Sequence, residues 1–161
     1  MSSHSFADIS IINRLMLSNK ELSSDLSNVD MLSTEEWESL IKYFLTYVTA
    51  GSIPAITMGI CHLKYIHDIS PTRFDSSIIS IMLAEESIDL NDSWDYNNLF
   101  MMLEICNCQS TEAFLNYGIG SNDDYVSQAA KELLNQDSQG KDWYKFYQNE
   151  YKVFIRKLNE H

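Results

Sequence analysis

The chain has 161 residues, 45% of them hydrophobic, and a formal net charge of −12. A chain of this length buries roughly 70% of the surface it exposes when unfolded, so it can build a core without a metal or a disulfide. Five Gly and two Pro are too few for the many tight turns of a sandwich or barrel, and the excess of acid repels nucleic acid and anionic membranes.

The stretch from Met1 to Asp8 lacks the basic n-region and long apolar h-region of a secretory signal. The longest strongly apolar run, Leu99 to Leu103, is far shorter than a membrane-spanning helix. The expectation is a cytoplasmic protein with no membrane association. Three cysteines, Cys61, Cys106 and Cys108, are an odd number and read as reduced thiols.

Helical spacing dominates the chain. Residues 1–30 contain a helical segment carrying Ile9, Ile12, Leu15 and Met16. Ser33 and Glu36 match a capping box, and Trp37, Leu40, Ile41, Phe44, Leu45 and Val48 follow in one apolar stripe. Gly51 suits a left-handed turn after that helix. Ser52 can cap the next, with Pro54 in its first turn and Ile56, Ile60, Leu63 and Ile66 or His67 inward. A third helix starts near Ser70 and Pro71 and carries Phe74, Ile78, Ile81 and Met82 to about Ala84. After the acidic loop from Glu85 to Asp92, Asp92 or Ser93 caps a fourth helix with Trp94, Leu99, Phe100, Leu103 and Cys106 inward. A short helix from Ser110 or Thr111 to Tyr117 closes at Gly118. Residues 121–124 then cap a helix with Tyr125, Val126, Ala129, Ala130, Leu133 and Leu134 on one face. A last helix from Asp142 to Asn159 is striped by Trp143, Phe146, Tyr147, Phe154, Ile155 and Leu158. The reading is one all-α domain over 1–161, with about seven to nine helices stacked as antiparallel pairs: an N-terminal segment 1–30, three pairs over 34–135, and a terminal helix 142–159.

The stretch from Thr111 to Leu134 resembles a HEAT-type repeat: a short apolar helix, an Asp-rich turn, then a helix with Val126 and the paired Ala129 and Ala130. Phe74 to Cys106 has a similar plan, and Asp95 and Tyr96 parallel Asp124 and Tyr125. Residues 34–67 fit more loosely, and the usual repeat proline and arginine are missing. The resemblance implies a HEAT/ARM-like α-solenoid architecture.

Residues that carry chemistry are sparse. Cys61, His62, Cys106 and Cys108 lack the spacing of a structural zinc site. Residues 89–95 put Trp94 where a calcium loop needs glycine. Gly118 to Ser121 lacks a third glycine and sits beside Asp123 and Asp124, which repel phosphate. No nucleophile elbow, zinc-protease or phosphate-loop motif is present. The expectation is a non-enzyme with no cofactor and no metal.

Charge distribution points elsewhere. Residues 74–130 hold ten Asp and Glu and not one Lys or Arg. Glu85, Glu86, Asp89, Asp92, Asp95, Asp123 and Asp124, with Trp94, Tyr96 and Tyr125 among them, are candidates for an aromatic-anchored acidic interface to a basic protein. In size, charge and architecture the chain resembles the immunity proteins of bacterial toxin–immunity systems, those of contact-dependent growth inhibition in particular. That resemblance implies binding and inhibition of a cognate toxin domain, such as a nuclease. An RNase, an EndoU-like enzyme for instance, is the toxin chemistry it suggests. The alternative is a HEAT-like adaptor or chaperone for another basic protein.

Overall fold

Ser33 sets the first helix. Its Oγ accepts from the Glu36 amide at 3.1 Å and Glu36 Oε1 accepts from the Ser33 amide at 3.0 Å, so two otherwise unpaired donors are satisfied reciprocally. The computed structural model describes residues 29–84, 92–106 and 108–159. The expectations for residues 1–28, and for Glu85, Glu86 and Asp89, lie outside the described residues. What is described is helical throughout, apart from connecting turns: a 3-10 turn at Val29–Met31, then α1 (Thr34–Val48), α2 (Ile53–Ile69), α3 (Pro71–Ala84), α4 (Ser93–Ile105), α5 (Thr111–Ile119), α6 (Asp124–Leu134) and α7 (Gly140–Asn159). No helix among the described residues is long and apolar enough to cross a membrane.

The first two helices form a tight hairpin. Gly51 takes a φ of 87° in the turn, and Ser52 caps α2 through the Ala55 amide. Gly59 lets the pair close up, since a Cβ there would lie 2.7 Å from the Phe44 carbonyl oxygen and 2.8 Å from Val48 Cγ2. The α1 stripe from Trp37 to Val48 is buried throughout, as its spacing predicts. Each large side chain so buried contributes about 1.5–3 kcal/mol of transfer free energy.

The later helices depart from a simple succession of pairs. α5 and α6 form a second hairpin, but α3 packs on α1 and α2 while α4 packs on α5, α6 and α7 as well as on α1 and α2. The third and fourth helices therefore serve different neighbours instead of making the expected middle pair. The connection from Ala84 to Ser93 is longer than that from Val48 to Ile53, so it does not force a hairpin. The terminal helix α7 returns to α2 and α4. In a one-dimensional stack each pair would touch only its sequence neighbours. Here one cluster of buried side chains draws on all seven helices.

Two helix boundaries and three faces differ from the sequence expectations. On α6, Val126, Ala129 and Ala130 are buried, but Tyr125 and Leu134, expected on the same face, are exposed. α5 runs through Gly118 to Ile119, because Gly118 is the position at which α5 meets α4 and not a terminator. α7 begins at Gly140, packed where a Cβ would lie 3.0 Å from the Glu104 carbonyl oxygen, and the Gln139 amide donates to Glu104 Oε1 at 3.0 Å. Trp143 and Phe146 face outward at 39% exposure each, while Tyr147 and Tyr151 are buried. Contacts with α2 choose that arc: Cys61 Sγ donates to the Tyr147 carbonyl at 3.7 Å, and the Lys64 ammonium lies 5.5 Å from the Tyr144 ring centroid. Trp94, expected inward, is exposed, whereas Leu99, Phe100, Leu103 and Cys106 are buried as expected.

Candidate functional site: an acidic end with exposed aromatics

Tyr96 ties the start of α4 to the end of α5. Its ring stacks on Phe114 with centroids 4.5 Å apart, and its hydroxyl donates to the Phe114 carbonyl at 2.7 Å. It also presses against Gly118. Near the start of α6, Ser127 Oγ donates to the Ile119 carbonyl at 3.0 Å. The N-termini of α4 and α6 therefore flank the C-terminal end of α5, at one end of the molecule.

Both N-termini are capped by aspartate. Asp92 Oδ1 accepts from the Trp94 amide at 2.8 Å and the Asp95 amide at 3.3 Å. Asp123 Oδ1 accepts from the Tyr125 amide at 2.9 Å and the Val126 amide at 3.1 Å. A carboxylate in that position pairs orphan donors and complements the positive end of the helix dipole. Asp95 and Asp124 follow within the first turns, and Asp124 is exposed. The two clusters that lie thirty positions apart in sequence are thus brought together by α5.

Aromatic side chains stand out from this acidic end. Trp94 is 55% exposed and Tyr125 78%. Tyr117, on the last turns of α5, is 46% exposed. Sequence reasoning missed Tyr117; it lies at the edge of the arc that α5 buries with Phe114, Leu115 and Gly118, where periodicity alone does not separate buried from exposed. Tyr96 does not belong to the surface. It is fully buried, and burial pushes its phenol above the ordinary range against the opposing effect of a hydrogen bond to the Gly118 backbone. Two residues along a helix point to nearly opposite sides, which is why Trp94 and Tyr96 part company.

The groups with nucleophilic or acid–base potential lie elsewhere. His62 is buried between α1 and α7, stacked on Phe44 at 4.6 Å and edge-on to Tyr151 at 5.8 Å. Its Nδ1–H donates to the Met58 carbonyl at 2.7 Å, and burial pushes its pKa down to about 4. Burial pushes the Cys61 thiol up to about 12. Among the described residues no group of three or more His, Cys, Asp or Glu is placed to hold a metal ion. An open cleft of about 460 Å³ lies where the end of α2 and the start of α3 meet the α4–α5 connection, with His67, Thr72, Asp75, Ser76 and Cys108 on its walls.

No family model, no curated protein and no solved structure matches this chain.

Proposed function

We propose that this protein is a binding module of the immunity type, which neutralises a basic toxin domain, a nuclease and most simply an RNase, through the acidic end formed by α4, α5 and α6. The observation that carries the reading is the placement of Trp94, Tyr117 and Tyr125, all exposed, beside Asp92, Asp95, Asp123 and Asp124 in a stretch free of Lys and Arg. Fixed carboxylates steer a basic cleft into contact, and broad aromatic surfaces hold it once water is displaced. A nuclease presents such a cleft because it must bind phosphate.

The finer architecture goes with this reading. The hairpins α1–α2 and α5–α6 support HEAT-like pairs, with α7 laid back across α2 and α4 as the closing element. A cytoplasmic location, where a toxin nuclease would meet its substrate, is part of the same proposal.

The test is co-expression with the product of the adjoining reading frame, followed by binding kinetics at low and high salt. The expected result is a complex whose association slows as salt rises and which protects cells from that product. A partner that binds equally well after Asp92, Asp95, Asp123 and Asp124 are all changed to Asn would show that the interface lies on another face.

A further inference from the structure

α7 presents three faces, and the core takes one of them. Gly140, Tyr147 and Tyr151 are buried, and at about 100° per residue they share an arc of about 40°. That arc is turned to α2, where Tyr151 meets His62 edge-on at 5.8 Å and the Lys64 ammonium lies by the Tyr144 ring. Trp143, Phe146 and Val153, all exposed, make a second face within about 80°. Trp143 and Phe146 already pack edge to face, with centroids 5.7 Å apart. Lys141, Lys145, Lys152 and Arg156, also exposed, make a third face beside the apolar row, within about 60° of one another and about 22 Å long. α7 carries five Lys and Arg against Asp142 and Glu150, in a chain of net charge −12, so it stands apart from the rest of the molecule in sign.

We infer that the two outer faces of α7 dock on the acidic end of a second copy of this chain. Charge complementarity chooses the occupant. The acidic end offers Asp92, Asp95, Asp123 and Asp124, with Trp94, Tyr117 and Tyr125 exposed among them, in a stretch that holds no Lys or Arg. A second copy therefore supplies both things the outer faces of α7 take: anions for the basic ridge and apolar area for the row beside it. Lys and Arg placed over Trp and Tyr rings add cation–π attraction as water leaves. The two copies repel each other as wholes, but at 0.1 M salt that repulsion is screened beyond about 10 Å, and the touching patches lie inside that distance. The contact is heterologous, acidic end to α7, so one copy can use both surfaces at once and growth stops only where the rotation closes a ring. An acidic end held in this way is withheld from a basic toxin, so self-association and toxin binding exclude each other there. The inference rests on the acidic end being an interaction surface, as proposed above, but it is tested on the purified chain alone, so its failure is distinct from a failure to bind a toxin.

The experiment is sedimentation equilibrium of the full chain from about 10 μM to about 1 mM, the range in which a small transient contact is populated. It is run at about 0.1 M and about 1 M salt, between which the Debye length falls from about 10 Å to about 3 Å. The expected result is an average mass above the monomer that rises with concentration and falls at the higher salt. Changing Lys141→Glu, Lys145→Glu, Lys152→Glu and Arg156→Glu together should weaken association by about tenfold or more, and so should Asp95→Lys with Asp124→Lys. Mixing the two variants should restore association, because the reversed patches are again opposite in sign. The wild-type result stands without either variant, and a helical spectrum with a melting curve checks each variant's fold. A chain that stays monomeric at 0.1 M salt would overturn the inference, as would self-association that strengthens at 1 M. So would a mixture that associates no better than either variant alone. A monomeric chain that binds phosphatidylserine vesicles or poly(U) RNA through the same four basic residues would overturn it too, and would give α7 to that partner instead.

Discussion

A methyl group at Gly118 would lie 2.2 Å from the Tyr96 hydroxyl oxygen and 2.4 Å from Cζ, so the end of α5 and the start of α4 meet with no room for a side chain between them. The Tyr96 ring cannot step aside, since it is stacked on Phe114 and bonded to the Phe114 carbonyl.

Gly118→Ala should therefore destabilise the protein by about 1–3 kcal/mol, even though Ala is the better helix former. Tyr96→Phe keeps the ring and loses only the hydrogen bond, at a cost of about 1 kcal/mol. Denaturant midpoints of the two variants measure the difference. A Gly118→Ala protein as stable as wild type would mean that the two helices do not approach this closely.

Leu103 and Val126 are fully buried, on α4 and α6 respectively. Leu103→Ala should cost about 2–5 kcal/mol through lost transfer energy and the cavity left behind. Val126→Asp should cost more, because it places a carboxylate where no partner waits. Thermal melts followed by circular dichroism check both.

The surface aromatics should behave in the opposite way. Trp94→Ser and Tyr125→Ser should change stability by no more than about 0.5 kcal/mol, since both side chains are exposed. Exchanging the caps Asp92 and Asp123 for Asn should also be tolerated, because Asn caps a helix about as well as Asp. In a complex with a basic partner, the aromatic changes should speed dissociation and the acid changes should slow association. Surface plasmon resonance at two salt concentrations separates these effects. If Glu150→Gln weakens the complex as much as the aspartate changes do, the interface includes α7.

His62 should make stability fall in mild acid. Burial, opposed in part by the hydrogen bond to Met58, lowers its pKa from 6.5 to about 4. Between those values the unfolded chain binds a proton that the folded chain refuses, so stability is full above about pH 6.5 and declines as pH falls toward 4. The loss over that window is on the order of 3 kcal/mol, at about 1.4 kcal/mol for each pH unit. His62→Phe keeps the stacking on Phe44 and should flatten the pH dependence over the same range. Urea midpoints from pH 7.5 down to about pH 4.5 measure it. Parallel profiles for the two proteins would assign the acid sensitivity to carboxylates.

Local signals reached the structure with little loss. Ser33 with Glu36, Ser52 with Ala55, and Gly51 in its left-handed turn all depend on residues within four positions of each other, so their chemistry is written in short stretches of sequence. The α1 stripe was equally legible because its apolar arc is narrow and the rest of the helix is polar. α7 was less legible. Its first turns carry Trp143, Tyr144, Phe146 and Tyr147 around a wide arc, and periodicity alone does not say which edge of that arc is buried.

The sequence by itself determined an all-helical chain, the places where most helices begin, and a long stretch without a single basic residue. Those properties follow from backbone propensity, capping and composition, which act over a few residues at a time. Tertiary structure decided that Trp94 faces water while Tyr96 fills the core, and that Tyr147 packs on α2 while Trp143 does not. It also decided that α4 serves α5, α6 and α7 as well as the first two helices, which brings Asp92 and Asp123 to the same end of the molecule. An aromatic side chain is apolar enough for the core and large enough for an interface, so its place depends on which helix face it meets, and that partner is distant in sequence.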